Sequence, residues 1–222
     1  MIVVLSHGRP IAAPWLFEKA EAVVASWFLG SEAGHGIADV MTGKWNPSAK
    51  LCVTWPYDGG QIPIFHSQRP TGRPANPEVY FSTRHVDLPI EPQFPFGHGL
   101  SYTRYALSNL KVQPEFAEGD NVAVTVDVSN EGAVAGEETL FLFLRDPVAS
   151  VARPVLELKG FAKAILKPGE RKTVHFTLKP ADFQFLDRNL KPRFEPGAFE
   201  ISAGQSADRT KLLTAKVQGK AR

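Results

Sequence analysis

The six histidines of this chain stand at positions 7, 35, 66, 85, 98 and 175. None shows an H-E-x-x-H or other spacing that would converge ligands on a metal, so structural or surface roles are expected for all of them. Ser6 lies beside His7, but no G-x-S-x-G elbow surrounds it. Adjacent residues on a strand also point to opposite faces, so this pair is not a hydrolase nucleophile signal. Ahead of residue 105 the carboxylates are Glu18, Glu21, Glu32, Asp39, Asp58, Glu78, Asp87 and Glu91. A two-carboxylate glycosidase needs an acid and a nucleophile on facing elements. Only Glu32 lies in a glycine-rich turn, Gly30-Ser31-Glu32-Ala33-Gly34-His35-Gly36. That turn lacks the G-x-x-x-x-G-K and dinucleotide patterns. Its helix amides offer an anion site, but tight strand-to-helix packing explains its glycines equally simply. Glu32 itself is explained by the positive end of a helix, without chemistry. Cys52, the single cysteine, lies in Leu51-Cys52-Val53 and reads as a small buried hydrophobe with no disulfide partner.

The elements that would position these residues fall into three regions. All four tryptophans (15, 27, 45 and 55) lie in the first of them. Ile2 to Leu5 is a continuous apolar run closed by Ser6-His7-Gly8-Arg9-Pro10, which predicts a strand buried on both faces. Pro14 to Ala20 predicts a short helix with proline at its start. Ala22 to Leu29 predicts a second strand, ending at Gly30. Ser31 to Thr42 predicts a second helix, capped by Ser31, with Glu32 in its first turn, Ile37, Val40 and Met41 on one face, and Gly43 as its stop. Strand, helix, strand, helix is an α/β order. Sheets usually hold about four to six strands. Two buried strands are too few, so the expectation is a fragment, with further strands preceding Ile2 in a longer parent chain. We therefore assign residues 1–57 to the C-terminal part of an α/β sandwich domain.

Residues 58–104 follow as a Pro-rich wrapping linker. Eight prolines lie between 56 and 104 (56, 63, 70, 74, 77, 89, 92 and 95), among apolar side chains such as Ile62, Phe65, Tyr80, Phe81, Phe94 and Phe96. Structureless loops beyond about 12–15 residues are uncommon in compact domains. This segment is expected to lie across domain surfaces. Residues 105–222 read as all β. Val122, Val124, Val126 and Val128 alternate strictly. Leu140, Leu142 and Leu144 alternate with Phe141 and Phe143, as in a strand buried on both sides. Turns are marked by Asn130-Glu131-Gly132, Lys167-Pro168-Gly169-Glu170 and Glu195-Pro196-Gly197. This pattern, without cysteine, predicts an immunoglobulin-like sandwich of the fibronectin type III form.

The formal net charge is +2 with no basic run, which argues against a nucleic-acid partner. No stretch approaches a membrane span, and residues 1–10 do not have the order of a signal peptide. Any export signal is therefore expected upstream, and the sequence leaves the compartment unknown. No cofactor is expected.

Several segments, in order, resemble family 3 glycoside hydrolases of the β-glucosidase and β-xylosidase type. Val4 to Pro10 resembles the family's strand and N/S-G-x-P turn. Gly30 to Gly43 resembles its G-x-E-G-G-x-A-I-A-D-V-L-x-G helix, and Trp45 to Leu51 its Y-N-P-S-G-K-L. Gly60-Gln61-Ile62-Pro63 with Thr71-Gly72-Arg73-Pro74 resembles its G-Q-I-P…T-G-R-P. Phe94 to Thr103 is similar to its Y-P-F-G-Y/H-G-L-S-Y-T. Val128 to Glu138, Leu156 to Phe161 and Leu166 to Glu170 resemble its terminal fibronectin III-like domain. Ala49, Cys52 and His35 depart from the pattern, where the family has Gly, Pro and Gly.

The resemblance implies a negative result for chemistry. In such enzymes the Asp nucleophile lies on an N-terminal (β/α)₈ barrel. The acid/base Glu, where the second domain supplies it, precedes the strand that begins here at Ile2. No catalytic residue is therefore carried over, substrate-binding residues are unknown, and no metal is implied. A β-linked glucoside or oligosaccharide would be met only through the missing barrel, and a barrel chain or domain is the expected partner. Relatives of this kind are often periplasmic or secreted. Two other readings stay open: a non-catalytic Ig-like binding or spacer module, and a truncated gene product.

Overall fold

A computed structural model describes residues 1–76 and 78–222; Pro77, counted among the prolines above, lies outside the described residues. Its contacts divide the chain into two compact units. One comprises residues 1–65 and 71–102, the other residues 66–70 and 103–222.

In the first unit, β1 (Ile2–Leu5) pairs in parallel with β2 (Ala22–Ala25), Ile2 opposite Ala22 and Leu5 opposite Ala25. The helix α1 (Pro14–Lys19) joins them, started by a proline whose missing N–H costs nothing in a first turn. The second helix, α2, runs Ala33–Met41. Three expectations need correction. The strand β2 stops at Ala25 rather than continuing to Leu29, because Trp27 adopts a left-handed φ of 56°. Such a conformation in a bulky residue is costly and turns the chain out of the ladder. The helix starts two residues late: Glu32, not Ser31, is the cap residue, and no side chain caps the helix. Finally, β1 is not buried on both faces. Ile2 is 53 % and Val4 37 % exposed, while Val3 and Leu5 are half-buried. The stop is as expected: Gly43 takes φ 76° and its N–H bonds the Val40 carbonyl.

Beyond α2 the first unit has little regular structure. A single 3-10 turn covers Gly59–Gln61, where the Asp58 carboxylate accepts the Gly60 N–H. Backbone pairs Leu51–His98, Gly97–Leu51 and Trp55–Phe94 close the long Pro-rich segment on itself. Gln61, buried, takes the Tyr57 N–H and donates to the carbonyls of Pro89 and Glu91. A side-chain amide thus does the work that a strand ladder would do elsewhere. Cys52 is exposed, contrary to the expected burial.

The second unit is a two-sheet sandwich. Its strands are β3 (Tyr105–Val112), β4 (Glu115–Ala117), β5 (Val122–Asn130), β6 (Gly136–Arg145), β7 (Glu157–Leu166), β8 (Arg171–Leu178), β9 (Phe185–Leu186), β10 (Pro192–Arg193), β11 (Gly197–Gly204) and β12 (Leu213–Lys220). One sheet has the order β4-β12-β11-β6-β7 and the other β3-β5-β8, with β9 and β10 a separate pair. The valines of β5 at 122, 124, 126 and 128 are fully buried, as strict alternation predicts. They face Leu140, Leu142 and Leu144 of β6, Leu166 and Leu178, and Phe199, Ile201 and Val217 in one core. Phe141 and Phe143, on the opposite face of β6, are buried too, so this strand is covered on both sides as its unbroken apolar run implied.

Candidate functional site

The carboxylates singled out for chemistry have local partners or face solvent. Glu32 accepts from His35 Nδ1 at 2.7 Å, both side chains more than four-fifths exposed. Asp39 pairs with Lys44 at 2.9 Å on the far turn of α2. Glu21 pairs with the Met1 amino group and Asp58 caps its 3-10 turn. Glu18, Glu78, Asp87 and Glu91 are exposed. Each of the four engaged carboxylates has a local structural partner, and none shares a buried cleft with a second acid. Among the described residues no group of three His, Cys, Asp or Glu is placed to hold a metal ion, and no helix is long and apolar enough to cross a membrane.

His7 is buried, and its strand-end position explains how. The ring lies 4.6 Å from Trp27 and 5.2 Å from Trp55, and Nδ1 is 2.7 Å from the Arg9 carbonyl. A carbonyl only accepts, so Nδ1 carries the proton and Nε2 is left as a buried acceptor without a partner among the described residues. Trp55 is 2 % exposed and donates from Nε1 to Ile11. Phe17 and Phe94 meet it edge-on, and Phe94 stacks on His98 at 4.6 Å. This aromatic cluster centres the first unit, and His7 and His98 pack within it.

A surface cavity of about 590 Å³ in the first unit is bordered by Arg73, Asn76, Val79, Phe81 and Ser82. Its loop is self-clamped. The Thr83 N–H donates to the Arg73 carbonyl, Thr71 and Thr83 share a hydroxyl bond of 3.0 Å, and Ser82 donates to the Asn76 carbonyl. Tyr80 and Phe81 are 78 % and 73 % exposed, and the Arg84 guanidinium lies 5.8 Å from the Tyr80 ring centre. Flat aromatic faces beside a guanidinium and an amide suit a polyhydroxylated ring or another flat, partly apolar ligand. Sequence reasoning placed this loop in the wrapping linker without assigning it a site; the adjacent pair Tyr80-Phe81 in a Pro-rich stretch was the available signal.

In the second unit, burial holds His66 below the usual imidazole range. Below pH ~6.5 the unfolded chain binds a proton at this position that the folded unit resists. The associated stability is therefore complete above that pH and declines as pH falls through the depressed folded value. Melting followed by far-ultraviolet circular dichroism should show the sandwich less stable at pH 5 than at pH 7.5, and His66→Gln should shrink that difference.

Compared with known proteins, residues 1–102 match the glycosyl hydrolase family 3 C-terminal domain and residues 138–207 the fibronectin type III-like domain. The chain is 40 % identical over 214 residues to a periplasmic beta-glucosidase of Salmonella typhimurium, covering 95 % of this chain but 28 % of that protein. It is 38 % identical to a beta-xylosidase of Formosa agariphila, covering 96 % of this chain and 29 % of the relative. Among solved structures, the beta-glucosidase from Listeria innocua superposes with a TM-score of 0.95 at 35 % identity, covering all of this chain and 30 % of that one. Beta-glucosidase 3B from Thermotoga neapolitana superposes at 0.80 and 28 % identity, covering 99 % of this chain and 31 % of that one. The chain thus spans less than a third of the length of these relatives. Residues 1–102 are thus a glycosyl hydrolase family 3 C-terminal domain, and the chain corresponds to the C-terminal part of β-glucosidase-like proteins of that family, with a fibronectin type III-like domain at residues 138–207.

Proposed function

We propose that this chain works as the C-terminal part of a retaining β-glycosidase of the β-glucosidase type and is inactive without the catalytic portion. The observation that carries this reading is the match itself: nearly the whole chain aligns with 28 % of a β-glucosidase. Hydrolysis with retention uses two carboxyl groups about 5–5.5 Å apart, one as nucleophile and one as acid/base. The carboxylates of the first unit are engaged locally or exposed. On this reading residues 1–57 are the end of an α/β sandwich domain, 58–104 a wrapping linker and 105–222 the sandwich. Ile2, Val4, Trp15, Phe28 and Trp45 are exposed in the first unit. Apolar surface on this scale normally meets a partner surface, and a catalytic barrel domain is the partner proposed. The chain would contribute strands and bracing, and the sugar and linkage would be selected by the barrel.

The purified chain should give no turnover of an aryl β-glucoside. Coexpression with the N-terminal remainder of the Salmonella relative should restore it. Turnover by the chain alone that disappears in Glu32→Gln would overturn the proposal.

A further inference from the structure

The chain leaves the first unit after Phe65, joins the second for His66 to Pro70, returns at Thr71, and joins the second again at Thr103. The intervening five residues form a strap on the sandwich. The His66 ring meets the Phe143 ring at 6.0 Å, 62° from parallel. Phe143 points away from the sandwich core, whose β6 members are Leu140, Leu142 and Leu144, yet it is fully buried. Midway along the strap the Val155 N–H donates to the Gln68 carbonyl at 2.9 Å. Pro70 then borders a polar cavity of about 360 Å³ with the loop 145–154 between β6 and β7. The strap thus covers an outer-face phenylalanine, satisfies a loop N–H and closes one wall of a cavity.

The next residue, Thr71, begins the clamped aromatic loop, through its hydroxyl bond to Thr83. We infer that His66–Pro70 is a latch: its docking completes the outer face of β6 and, through chain continuity, fixes one end of the 71–84 loop. The sandwich is then not an autonomous module beginning near residue 103. It needs a segment of sequence that lies within the linker. Conversely, the order of the 71–84 loop depends on the sandwich. Short surface segments open locally at lower cost than core strands, so a five-residue strap held through a half-buried ring and a backbone bond is suited to reversible release.

The Val155 amide is the direct reporter, read by hydrogen exchange on the full chain. In the wild type it should exchange at least ~10-fold more slowly than open-loop amides. In His66→Gly/Pro70→Gly it should lose that protection, while the amides of Leu142 and Leu144 keep theirs. The Thr83 amide, bonded to Arg73, should accelerate in the same variant. Should the double variant fail to fold, Pro70→Gly alone, which leaves His66 on Phe143, should accelerate Val155 by about threefold. A Val155 amide that exchanges like an open loop in the wild type overturns the latch. So does unchanged protection in a folded variant. Loss of Val155 protection with an unaltered Thr83 overturns the coupling to the aromatic loop.

Discussion

Asn130→Ala should lower the unfolding free energy of the sandwich by about 3–5 kcal/mol, at the upper end of what single substitutions do. Asn130 ends β5 and is 1 % exposed. Its Oδ1 accepts from the Thr103 hydroxyl at 2.6 Å and the Gly132 N–H at 3.1 Å. Its Nδ2 donates to the carbonyls of Val134 at 2.8 Å and Leu166 at 3.2 Å. One amide therefore joins the segment preceding β3, the turn after β5 and the end of β7. Its main chain adds bonds to Glu170 and from Gly169. Truncation strands several buried partners at once, and each unsatisfied group costs about 1–3 kcal/mol. The costs do not add in full, because the partners share one network. Asn130→Asp should be no better: it places a carboxylate oxygen against two carbonyls in a site with almost no water. Thr103→Val removes one partner and should cost about 1–2 kcal/mol. All the tryptophans lie within residues 1–55, so tryptophan emission reports only the first unit. Urea unfolding of the sandwich is best followed by far-ultraviolet circular dichroism. A loss below about 1 kcal/mol for Asn130→Ala would show that the network is rehydrated rather than stranded.

Asn130-Glu131-Gly132 was legible as a turn, but the role of Asn130 was not. A turn signal says where a chain reverses, and Asn suits many turns through its own backbone. That this amide points inward depends on β3 and β7 arriving beside it, which is long-range information. Where a local rule decides the structure, reading was sound. The valines of β5 alternate because one face is core, and Leu140 to Leu144 of β6 is apolar throughout because both faces are covered. Where two local rules compete, it failed. Ala22 to Leu29 is apolar apart from Ser26, yet the ladder ends at Ala25 because Trp27 turns back to cover His7. Leu51-Cys52-Val53 has the composition of a core strand. Leu51 instead forms backbone bonds with Gly97 and His98, and Cys52 faces outward. The strap at His66–Pro70 has no periodicity in which to appear. The loop carrying Tyr80 and Phe81 was not legible as a site, because its form depends on contacts such as Thr83 with Arg73 that no local pattern encodes.

The second large effect concerns a missing side chain. Gly219 of β12 lies opposite Gly197 of β11 on one side and Phe116 of β4 on the other. A Cβ built at Gly219 would fall 2.8 Å from a Phe199 ring carbon and 3.0 Å from ring carbons of Phe116 and Phe194. These rings are already packed: Phe116 lies 4.3 Å from Phe183, Phe183 5.3 Å from Phe199, and Phe194 6.0 Å from Phe199. Phe183 and Phe199 are almost wholly buried. Because a ring packed on three sides has no flexible end to yield, a methyl here forces backbone or rotamer shifts. Gly219→Ala should therefore cost about 1–3 kcal/mol, the usual range for overpacking. Gly197 provides the contrast. It is the cross-strand partner of Gly219, it shares the same β propensity argument, and its Cβ would meet nothing within 4 Å. Gly197→Ala should be neutral or stabilise by about 0.4–1 kcal/mol, by restricting the unfolded chain. If conformational freedom alone decided the use of glycine here, the two substitutions would shift the urea midpoint in the same direction. Opposite shifts, read on the full chain by circular dichroism, would place the requirement at Gly219 in the ring cluster. That cluster joins β4, β11 and the segment Pro180–Phe183 at one end of the sandwich.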